Sequence, residues 1–271
     1  MLLITGCPEP QKNPAIIMNI YSLRITADKT NSSQLLYCFC RFKSMQTNCY
    51  SKMVSIRLII FDIDGTLYCS RKYEVELGKT IIELISKILG ISFEEAKKRL
   101  EVEKKYSLTV SSSITKLGID RRYFYSLLAE RIEPSLFISP ETTLAEKIKS
   151  LRNRGLKVAA HTNSGTQLAR KVLYAIGLCP EDFDILVTSD EAEPKPNPDG
   201  YILITQKLRI PPNEAVYIGD RPIVELRTAK TLGMTTILIS SRGSRWADYT
   251  VPTIHEALEL INKLTSNHSS Q

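Results

Sequence analysis

The stretch LIIFDIDGTLY, residues 58–68, decides the fold of this chain. Its first four residues are apolar and form a run that is typical of a strand buried on both faces of a parallel sheet. The run ends in Asp62 and Asp64, and Gly65 directly after them permits a sharp turn. In open α/β sheets ligands bind beyond the carboxyl ends of the strands, so both carboxylates stand where a ligand is expected. Taken alone, the motif is also compatible with a strand that ends in an Asx turn.

Downstream of residue 142 the chain alternates between short apolar runs and amphipathic segments. The runs that we predict as strands are residues 156–160, 184–188, 215–218 and 235–239. The amphipathic segments between them have the 3.6-residue period of helices. Because strand alternates with helix, we expect a parallel sheet with right-handed crossovers. The predicted fold class is therefore α/β, with a Rossmann-like parallel sheet.

A long helical stretch separates the first strand from this α/β region. Residues 73–131 show no strand signal, and Gly90, Ser92 and Asp120 stand where helices should end or begin. A stretch of about sixty residues is large enough for a small helical domain. The predicted division is an α/β core of residues 54–67 and 141–264, a helical insertion of residues 68–140, and a frayed tail of residues 265–271.

Composition excludes several classes of protein. The 271 residues are 43% hydrophobic and 24% charged, as in an ordinary globular protein, and the sequence predicts no transmembrane helix and no membrane partner. The net charge is +7, but residues 1–53 hold six basic and two acidic residues, which leaves only +3 for the remainder. Such a balanced remainder argues against a nucleic-acid partner. The remainder also holds only two of the six cysteines, which is typical of a reducing compartment and predicts a cytoplasmic location.

Residues 1–53 differ from the rest of the chain in pattern as well. They show no sustained period of 2 or 3.6 residues, and they contain four of the five methionines. The last of these, Met53, stands just before the first strand. We therefore expect residues 1–53 to be a disordered or non-native extension, with Met53 as the natural start. A functional extension is the alternative, since the segment is basic and poor in acids.

Polar residues follow three of the predicted strands. They are Asp62 and Asp64 after the first strand, Thr162 and Asn163 after the next, Asp220 after a later one, and Lys195 from a nearby loop. Because the carboxyl ends of parallel strands share one edge, these side chains can meet in one cleft. Carboxylates that share a site need a cation, and ligands that are all oxygen suit Mg²⁺. Asp62 and Asp64 can share one ion only if the chain curls after Asp62 or one of them binds through its backbone carbonyl.

Four motifs thus occur in this order: Asp62 with Asp64, Thr162 with Asn163, Lys195, and Asp220. Together they resemble the motifs of the haloacid dehalogenase (HAD)-like hydrolase superfamily, in its phosphatase branch. The resemblance covers residues 56–250, and the helical stretch stands where members of the superfamily carry an α-helical cap that closes over the substrate. Within the superfamily, the sequence is most similar to pyrimidine nucleotidases and phosphoglycolate phosphatases. The resemblance implies a Mg²⁺-dependent phosphomonoester hydrolase that acts on a small phosphorylated metabolite, such as a nucleotide, phosphoglycolate or a sugar phosphate.

The resemblance also implies roles for individual residues. Asp62 would be the nucleophile that forms an aspartyl-phosphate, and Asp64 would be the general acid and base. The implied phosphate-binding residues are Thr162, Asn163 and Lys195. The implied ligands of Mg²⁺ are Asp62, Asp64 and Asp220. We expect the cap to set the selectivity, since the core supplies groups directed only at the phosphate.

Three residues near these motifs call for separate expectations. Glu225 stands where the family more often has aspartate, and we expect it at or just beyond the shell of metal ligands. Arg221 follows Asp220 directly and could pair with Glu225. His161 precedes Thr162 in the strand, so its side chain should point to the opposite face and be packed there.

Two other functions remain to be weighed. A 2-haloacid dehalogenase on the same scaffold needs no metal and usually lacks the second aspartate of the first motif, so Asp64 argues against it. A catalytically inactive binding protein with this fold is disfavoured by the intact set of Asp62, Asp64, Lys195 and Asp220. The sequence leaves the particular substrate and the oligomeric state open.

Overall fold

A computed structural model describes residues 55–266 of the chain. Its strands are β1 (Leu58–Phe61), β2 (Lys157–His161), β3 (Ile185–Val187), β4 (Ala215–Gly219), β5 (Thr235–Ile239) and β6 (Tyr249–Val251). Its α-helices are α1 (Arg71–Leu89), α2 (Phe93–Ser107), α3 (Val110–Lys116), α4 (Arg121–Arg131), α5 (Thr142–Asn153), α6 (Thr166–Ala175), α7 (Asp199–Leu208), α8 (Arg227–Thr231) and α9 (Ile254–Ser266). In this part of the chain the strands form one sheet in the order β3-β2-β1-β4-β5-β6.

Strand β1 lies inside the sheet, between β2 and β4, and all its residues are fully buried. Every strand pair is parallel, which confirms the α/β prediction. Phe61 is in register with Ala160 and with Ile218. The ends of the three central strands are therefore level, and the residues that follow them begin at the same edge of the sheet.

Two hydrophobic clusters cover the two faces of the sheet. One contains Ile59 and Phe61 of β1 together with buried residues of α5, α6 and α9. The other contains Leu58 and Ile60 together with residues of α7 and α8. Alternate residues of β1 thus point to opposite layers, as successive side chains of a strand must. The first cluster continues without a break into α1, α2, α3 and α4, so the helical stretch shares a core with the sheet.

The helical stretch begins and ends its helices largely where the sequence predicted. Gly90 adopts a left-handed φ of 64° at the end of α1, a conformation that glycine accepts without steric cost. The side chain of Ser92 accepts a hydrogen bond from the backbone N–H of Glu95 and caps α2. Asp120 caps α4 in the same way, through the N–H of Tyr123 at 2.7 Å. Helix α3, whose N-cap is Thr109, was not predicted separately from the sequence.

The structure differs from the sequence-based expectations in three further elements. Strand β6 has only three residues, too few to show a period, and it lies at the edge of the sheet. The predicted helix of residues 222–232 opens instead as a π-helical turn, Pro222–Leu226, before α8. Helix α9 extends to Ser266, so it includes the first two residues of the expected tail.

The remaining predictions about the termini, a disordered or non-native segment 1–53 and a frayed tail after Ser266, fall outside the described residues. Among residues 55–266 there is no helix with the length and apolar character needed to cross a membrane.

Candidate active site

The side chain of Lys195 lies under the carboxyl edge of the sheet and is only 1% exposed. Its Nζ atom lies 2.5 Å from Oδ1 of Asp62 and 3.3 Å from Oε1 of Glu225. It also lies 3.0 Å from the carbonyl oxygen of His161 and 3.2 Å from the hydroxyl of Tyr217. Burial opposes the charge on Lys195, but the adjacent carboxylates Asp62 and Glu225 outweigh it and raise the pKa of the ammonium group. Lys195 is therefore a fixed positive charge beside Asp62.

Three carboxylates meet beside this ammonium group. One oxygen from each of Asp62, Asp220 and Glu225 lies within 4.8 Å of the other two. Burial, and then the charge of Glu225, raise the pKa of Asp220 well above its ordinary value. Burial and the charge of Asp62 raise the pKa of Glu225. Oδ1 of Asp220 is buried and has no hydrogen-bond partner among the described residues. Oxygen atoms with this excess of negative charge suit a divalent cation such as Mg²⁺.

Two glycines allow these carboxylates to approach the strand ends closely. A Cβ atom on Gly65 would lie 2.6 Å from Oδ2 of Asp220, and one on Gly219 would lie 2.3 Å from Oε2 of Glu225. Gly65 also has a φ of +86°, which is the sharp turn that the sequence predicted after the aspartates. A side chain at either position would push the carboxylates apart.

Glu225 reaches this group because of the π-helical turn between β4 and α8. Pro222 begins the turn, and the backbone N–H of Arg221 donates a hydrogen bond of 3.2 Å to Oε2 of Glu225. Tyr201 donates from its hydroxyl to the carbonyl oxygen of Glu225 at 3.0 Å. π-Helical turns are rare in proteins, and those that do occur often lie at functional sites. A helical pattern in the sequence cannot distinguish this turn from an α-helix.

Asp64 lies at the same edge, half-buried, but its carboxylate is not part of this group. Its two oxygens accept hydrogen bonds from the hydroxyl of Tyr68 at 2.6 Å and from Oγ1 of Thr162 at 3.2 Å. Burial and then the charge of Asp62 raise the pKa of Asp64, while both hydrogen bonds lower it. The group of three carboxylates thus contains Glu225 but not the side chain of Asp64. Asp64 could share an ion with Asp62 only through its backbone carbonyl, one of the two arrangements that the sequence left open.

Asn163 does not present its side chain as a free phosphate ligand. Its Nδ2 donates to the carbonyl oxygen of Lys195 at 3.0 Å, and its Oδ1 accepts from the N–H of Lys195 at 2.7 Å. Both polar ends of the carboxamide are thus used to fix the backbone that carries the buried ammonium group. The hydroxyl of Thr162, by contrast, lies against Asp64 at the edge of the cleft.

His161 and Arg221 have partners that the sequence could only partly suggest. His161 is 2% exposed and packs edge-on against Tyr201, with ring centroids 4.7 Å apart, as expected for a packed histidine. Burial, and then the charge of Lys195, lower its pKa well below the ordinary value. The guanidinium group of Arg221 donates to the carbonyl oxygen of Leu108 at 3.1 Å. Only the backbone N–H of Arg221 bonds Glu225, so the side-chain pairing that we expected is replaced by a contact with the cap.

Further cap residues reach the strand ends. The Oγ atom of Ser111 donates to the carbonyl oxygen of Asn163 at 2.5 Å and lies 2.6 Å from the hydroxyl of Tyr125. Burial raises the pKa of Tyr125 to about 12, so its phenol stays neutral. Gly165 at the start of α6 lies so close to Tyr125 that an added Cβ would come within 2.5 Å of that side chain. The helical stretch is therefore packed directly on the edge that holds the carboxylates.

Sequence reasoning did not find all of the residues around this edge. Tyr217 and Tyr201 pack together under Lys195, with ring centroids 4.9 Å apart, and both phenols are buried. In the sequence, each is a tyrosine within an apolar strand or helix. That pattern does not distinguish it from an ordinary core residue. Ser111 and Tyr125 carried no motif at all. Tyr68, which the quoted motif ends on, carried no signal that it bonds Asp64.

Fold and site together define an α/β protein with a parallel sheet, at whose carboxyl edge a buried lysine lies beside a carboxylate and an acidic group suits a cation. Residues 56–233 match the description of the haloacid dehalogenase-like hydrolases, and the chain belongs to this family. It is therefore an enzyme, and phosphoester hydrolysis is the reaction that its phosphatase relatives indicate.

The relatives are similar over most of their length. The chain is 27% identical over 206 residues to a glyceraldehyde 3-phosphate phosphatase of Methanopyrus kandleri. The aligned part covers 68% of this chain and 84% of that protein. The chain is 24% identical over 211 residues to a phosphoglycolate phosphatase of Escherichia coli O157:H7, spanning 69% and 82%. A crystal structure of a HAD phosphatase from Thermococcus onnurineus has a TM-score of 0.57 and 27% identity, and covers 76% of this chain and 98% of its own.

Proposed function

We propose that this chain is a Mg²⁺-dependent phosphomonoesterase that forms an aspartyl-phosphate on Asp62. The observation that carries the proposal is the position of Asp62 between a buried ammonium group and two further acids. Lys195 holds Oδ1 of Asp62, and Thr66 donates to Oδ2 at 3.1 Å. A carboxylate that is oriented by two donors at the end of a central strand is well placed to act as a nucleophile.

The neighbouring residues can assist both halves of such a reaction. Asp62 attacks phosphorus, and Asp64 gives a proton to the leaving alcohol and later takes one from the attacking water. The raised pKa of Asp64 supports the first of these roles, since it favours the protonated acid. Lys195 and the hydroxyl of Thr162 offset charge on the phosphoryl oxygens. Asn163 acts by holding Lys195 in place, through the two hydrogen bonds of its carboxamide.

The residues present fit a bound Mg²⁺. Asp62, Asp220 and Glu225 are the side chains that would hold it, and the unpartnered Oδ1 of Asp220 supports this assignment. A bound Mg²⁺ supplies electrostatic stabilisation of the charge that develops on the phosphoryl group. The positive charge of Lys195 alone is too small to balance three carboxylates and a phosphate.

The substrate that we propose is a small phosphorylated metabolite. The relatives support this, because their names refer to glyceraldehyde 3-phosphate and phosphoglycolate, which have three and two carbon atoms. The dehalogenase alternative has less support, because that chemistry needs no metal, whereas Asp62, Asp220 and Glu225 form a group of carboxylates suited to a cation. Asp64, bound by Tyr68 and Thr162, also has no counterpart in that chemistry.

A phosphatase panel with and without metal tests the proposal. We expect hydrolysis of p-nitrophenyl phosphate and of small sugar phosphates in Mg²⁺, loss of that activity in EDTA, and its return when Mg²⁺ is added in excess. Full activity of a rigorously metal-free preparation, or release of halide from 2-chloropropionate without phosphatase activity, would contradict it.

A further inference from the structure

The hydroxyl of Tyr68 donates a hydrogen bond of 2.6 Å to Oδ1 of Asp64. Tyr68 comes back to Asp64 because the chain turns sharply between them. Gly65 has a φ of +86°, and the N–H of Leu67 donates to the carbonyl oxygen of Ile63 at 3.0 Å. The same turn forms an isolated backbone bridge between Asp64 and Tyr68. The phenol is thus held against the carboxylate by the backbone that joins them.

The ring of Tyr68 is also packed against the helical stretch. Its centroid lies 6.1 Å from that of Tyr73 in α1, and the ring of Tyr73 lies 6.4 Å from that of Phe137. Phe137 belongs to the segment between α4 and α5, by which the chain returns to the sheet. The Oγ atom of Ser70 donates to the carbonyl oxygen of Phe137 at 2.7 Å, so the outgoing and returning segments are joined two residues after Tyr68. The position of the phenol is therefore set by tertiary packing as well as by the local turn.

The other oxygen of Asp64 has a partner that the proposed reaction requires elsewhere. Oγ1 of Thr162 lies 3.2 Å from Oδ2 of Asp64, and it accepts the N–H of Ser164 at 3.0 Å. A threonine hydroxyl has a single proton to donate. When Thr162 donates that proton to a phosphoryl oxygen, as the proposed function requires, it no longer donates to Asp64. Among the described side chains, Tyr68 is then the donor that remains on Asp64, and Oδ2 is left open.

We propose that Tyr68 is a positioning residue: it holds Oδ1 of Asp64, so that Oδ2 carries the proton for the leaving alcohol. This inference rests on the proposed function and deepens it. As Asp62 bonds phosphorus and the bond from phosphorus to the alcohol oxygen breaks, the proton on Oδ2 passes to that oxygen. In the second step Oδ2 takes a proton from the water that bonds phosphorus, and the bond from phosphorus to Asp62 breaks. The hydrogen bond from Tyr68 persists throughout, because the carbonyl oxygen of a protonated carboxyl group still accepts one.

The position of this acid matters most for esters of alcohols. An alkoxide is a strong base and leaves well only when it is protonated as it departs, whereas p-nitrophenolate is stable as an anion. A misplaced acid therefore slows the hydrolysis of an alkyl phosphate and has little effect on p-nitrophenyl phosphate. A purely structural role of Tyr68 would slow both reactions, since both use the same nucleophile and the same phosphate-binding groups.

The test measures kcat/KM for three phosphomonoesters in saturating Mg²⁺, since kcat/KM includes only the steps up to the departure of the alcohol. D-Glyceraldehyde 3-phosphate and sn-glycerol 3-phosphate are alkyl esters, and p-nitrophenyl phosphate is an aryl ester. Tyr68→Phe should lower kcat/KM for the better of the two alkyl esters about tenfold to a hundredfold, a large part of what a positioned acid contributes. It should leave p-nitrophenyl phosphate within about twofold of the wild type. The ratio of two values from one preparation does not depend on the fraction of folded protein.

Two further variants separate positioning from packing. Tyr73→Phe removes the same atom from the neighbouring ring, whose hydroxyl has no hydrogen-bond partner within residues 55–266, and it should change none of the three values. Asp64→Asn keeps the shape of the side chain but cannot carry the proton, so kcat/KM for the alkyl ester should fall sharply. Adding Tyr68→Phe to Asp64→Asn should then lower it by less than about twofold further, because Tyr68 acts through Asp64.

Any of four results would overturn the inference. They are an equal loss on alkyl and aryl esters in Tyr68→Phe, no loss on the alkyl ester, a full further loss when Tyr68→Phe is added to Asp64→Asn, and a wild type that hydrolyses p-nitrophenyl phosphate but neither alkyl ester. A wild type that hydrolyses none of the three in Mg²⁺ would overturn the proposed function itself. The p-nitrophenyl phosphate measurement distinguishes the two failures, because it requires the nucleophile and the cation but not the oriented acid.

Discussion

At the two edges of the central sheet, the surroundings of acidic side chains shift their pKa values in opposite directions. At the carboxyl edge, Asp62, Asp220 and Glu225 crowd around one ammonium group, and the pKa values of Asp220 and Glu225 are raised. At the amino edge, Asp184 precedes β3 and accepts hydrogen bonds from Lys157 at 2.8 Å and from the N–H of Val158 at 2.9 Å. Burial opposes its ionisation, but these donors outweigh it and lower the pKa of Asp184.

This difference distinguishes acids that are arranged to bind a ligand from an acid that stabilises the fold. Asp184 has its own donors and needs nothing from outside, so it contributes to the stability of the fold. The three acids at the carboxyl edge repel one another, and Oδ1 of Asp220 has no hydrogen-bond partner among the described residues. Sites of this kind lower stability in favour of function. Removing the charge of an acid should therefore have opposite effects on the free energy of unfolding at the two edges, and removing a lysine should cost far more at the carboxyl edge.

The largest effect is expected for Asp62, the proposed nucleophile. Asp62→Asn keeps the shape of the side chain and removes its charge, so turnover of p-nitrophenyl phosphate should fall on the order of 10⁴-fold or more. The control is Asp120→Asn, because asparagine caps a helix as well as aspartate does and α4 should be unaffected. Steady-state kinetics with circular dichroism of both variants checks this. A folded Asp62→Asn protein with wild-type activity would exclude the covalent mechanism.

A large effect on stability is expected for the buried lysine. Lys195→Met removes the ammonium group and leaves Asp62 and Glu225 buried without it, which should cost roughly 3 kcal/mol of unfolding free energy. The matched variant at the other edge is Lys157→Met. Its side chain is 51% exposed, so the cost there should be about 0.5 kcal/mol or less. Urea unfolding of the two variants in EDTA measures both. Equal costs would show that the two edges do not differ.

A smaller effect, opposite in sign at the two edges, is expected for asparagine substitutions. Asp220→Asn relieves the repulsion among the three acids, so it should stabilise the metal-free protein by about 1 kcal/mol while abolishing activity. Asp184→Asn removes a paired carboxylate and should destabilise by about the same amount while leaving kcat/KM unchanged. Melting curves of both variants in EDTA show whether each substitution raises or lowers the stability. Destabilisation by Asp220→Asn would mean that its carboxylate is satisfied without a cation.

The smallest effect is a pH dependence of the Asp184 contribution. Because the pKa of this carboxyl is lowered in the folded protein, its stabilisation is complete above the ordinary value of 3.8 and is lost as the pH falls through the folded pKa. The stability difference between the wild type and Asp184→Asn should therefore be constant near neutral pH and shrink below about pH 4. Urea unfolding at a series of pH values measures it. A difference that stays constant down to pH 3 would show that the ionised form is not the source.

Much of the fold followed from local patterns. The buried strand of residues 58–61, the alternation after residue 142 and the caps at Ser92 and Asp120 each depend on a few consecutive residues, and the structure has them. Strand β6 and the π-helical turn at Pro222 were missed, because three residues show no period and a π-turn has the pattern of a helix. Their placement depends on neighbours in the sheet rather than on local preference.

The site was predictable in its members but less so in their arrangement. Asp62, Asp64, Thr162, Lys195 and Asp220 do lie at one edge, because parallel strands bring their carboxyl ends together. The sequence could not show which oxygen atoms meet. Whether Glu225 or the Asp64 carboxylate joins Asp62 and Asp220 depends on a turn and on two glycines.

The sequence by itself thus determined the class of fold, the edge at which these polar side chains meet and the residue types available there, since each depends on short-range patterns and on the geometry of parallel strands. Only the tertiary structure decided the partners. Asp62 and Lys195 are 133 residues apart in the chain, and Ser111 reaches the carbonyl oxygen of Asn163 only because the helical stretch packs on the sheet. Contacts of this kind are set by how whole elements pack, and no local pattern encodes them.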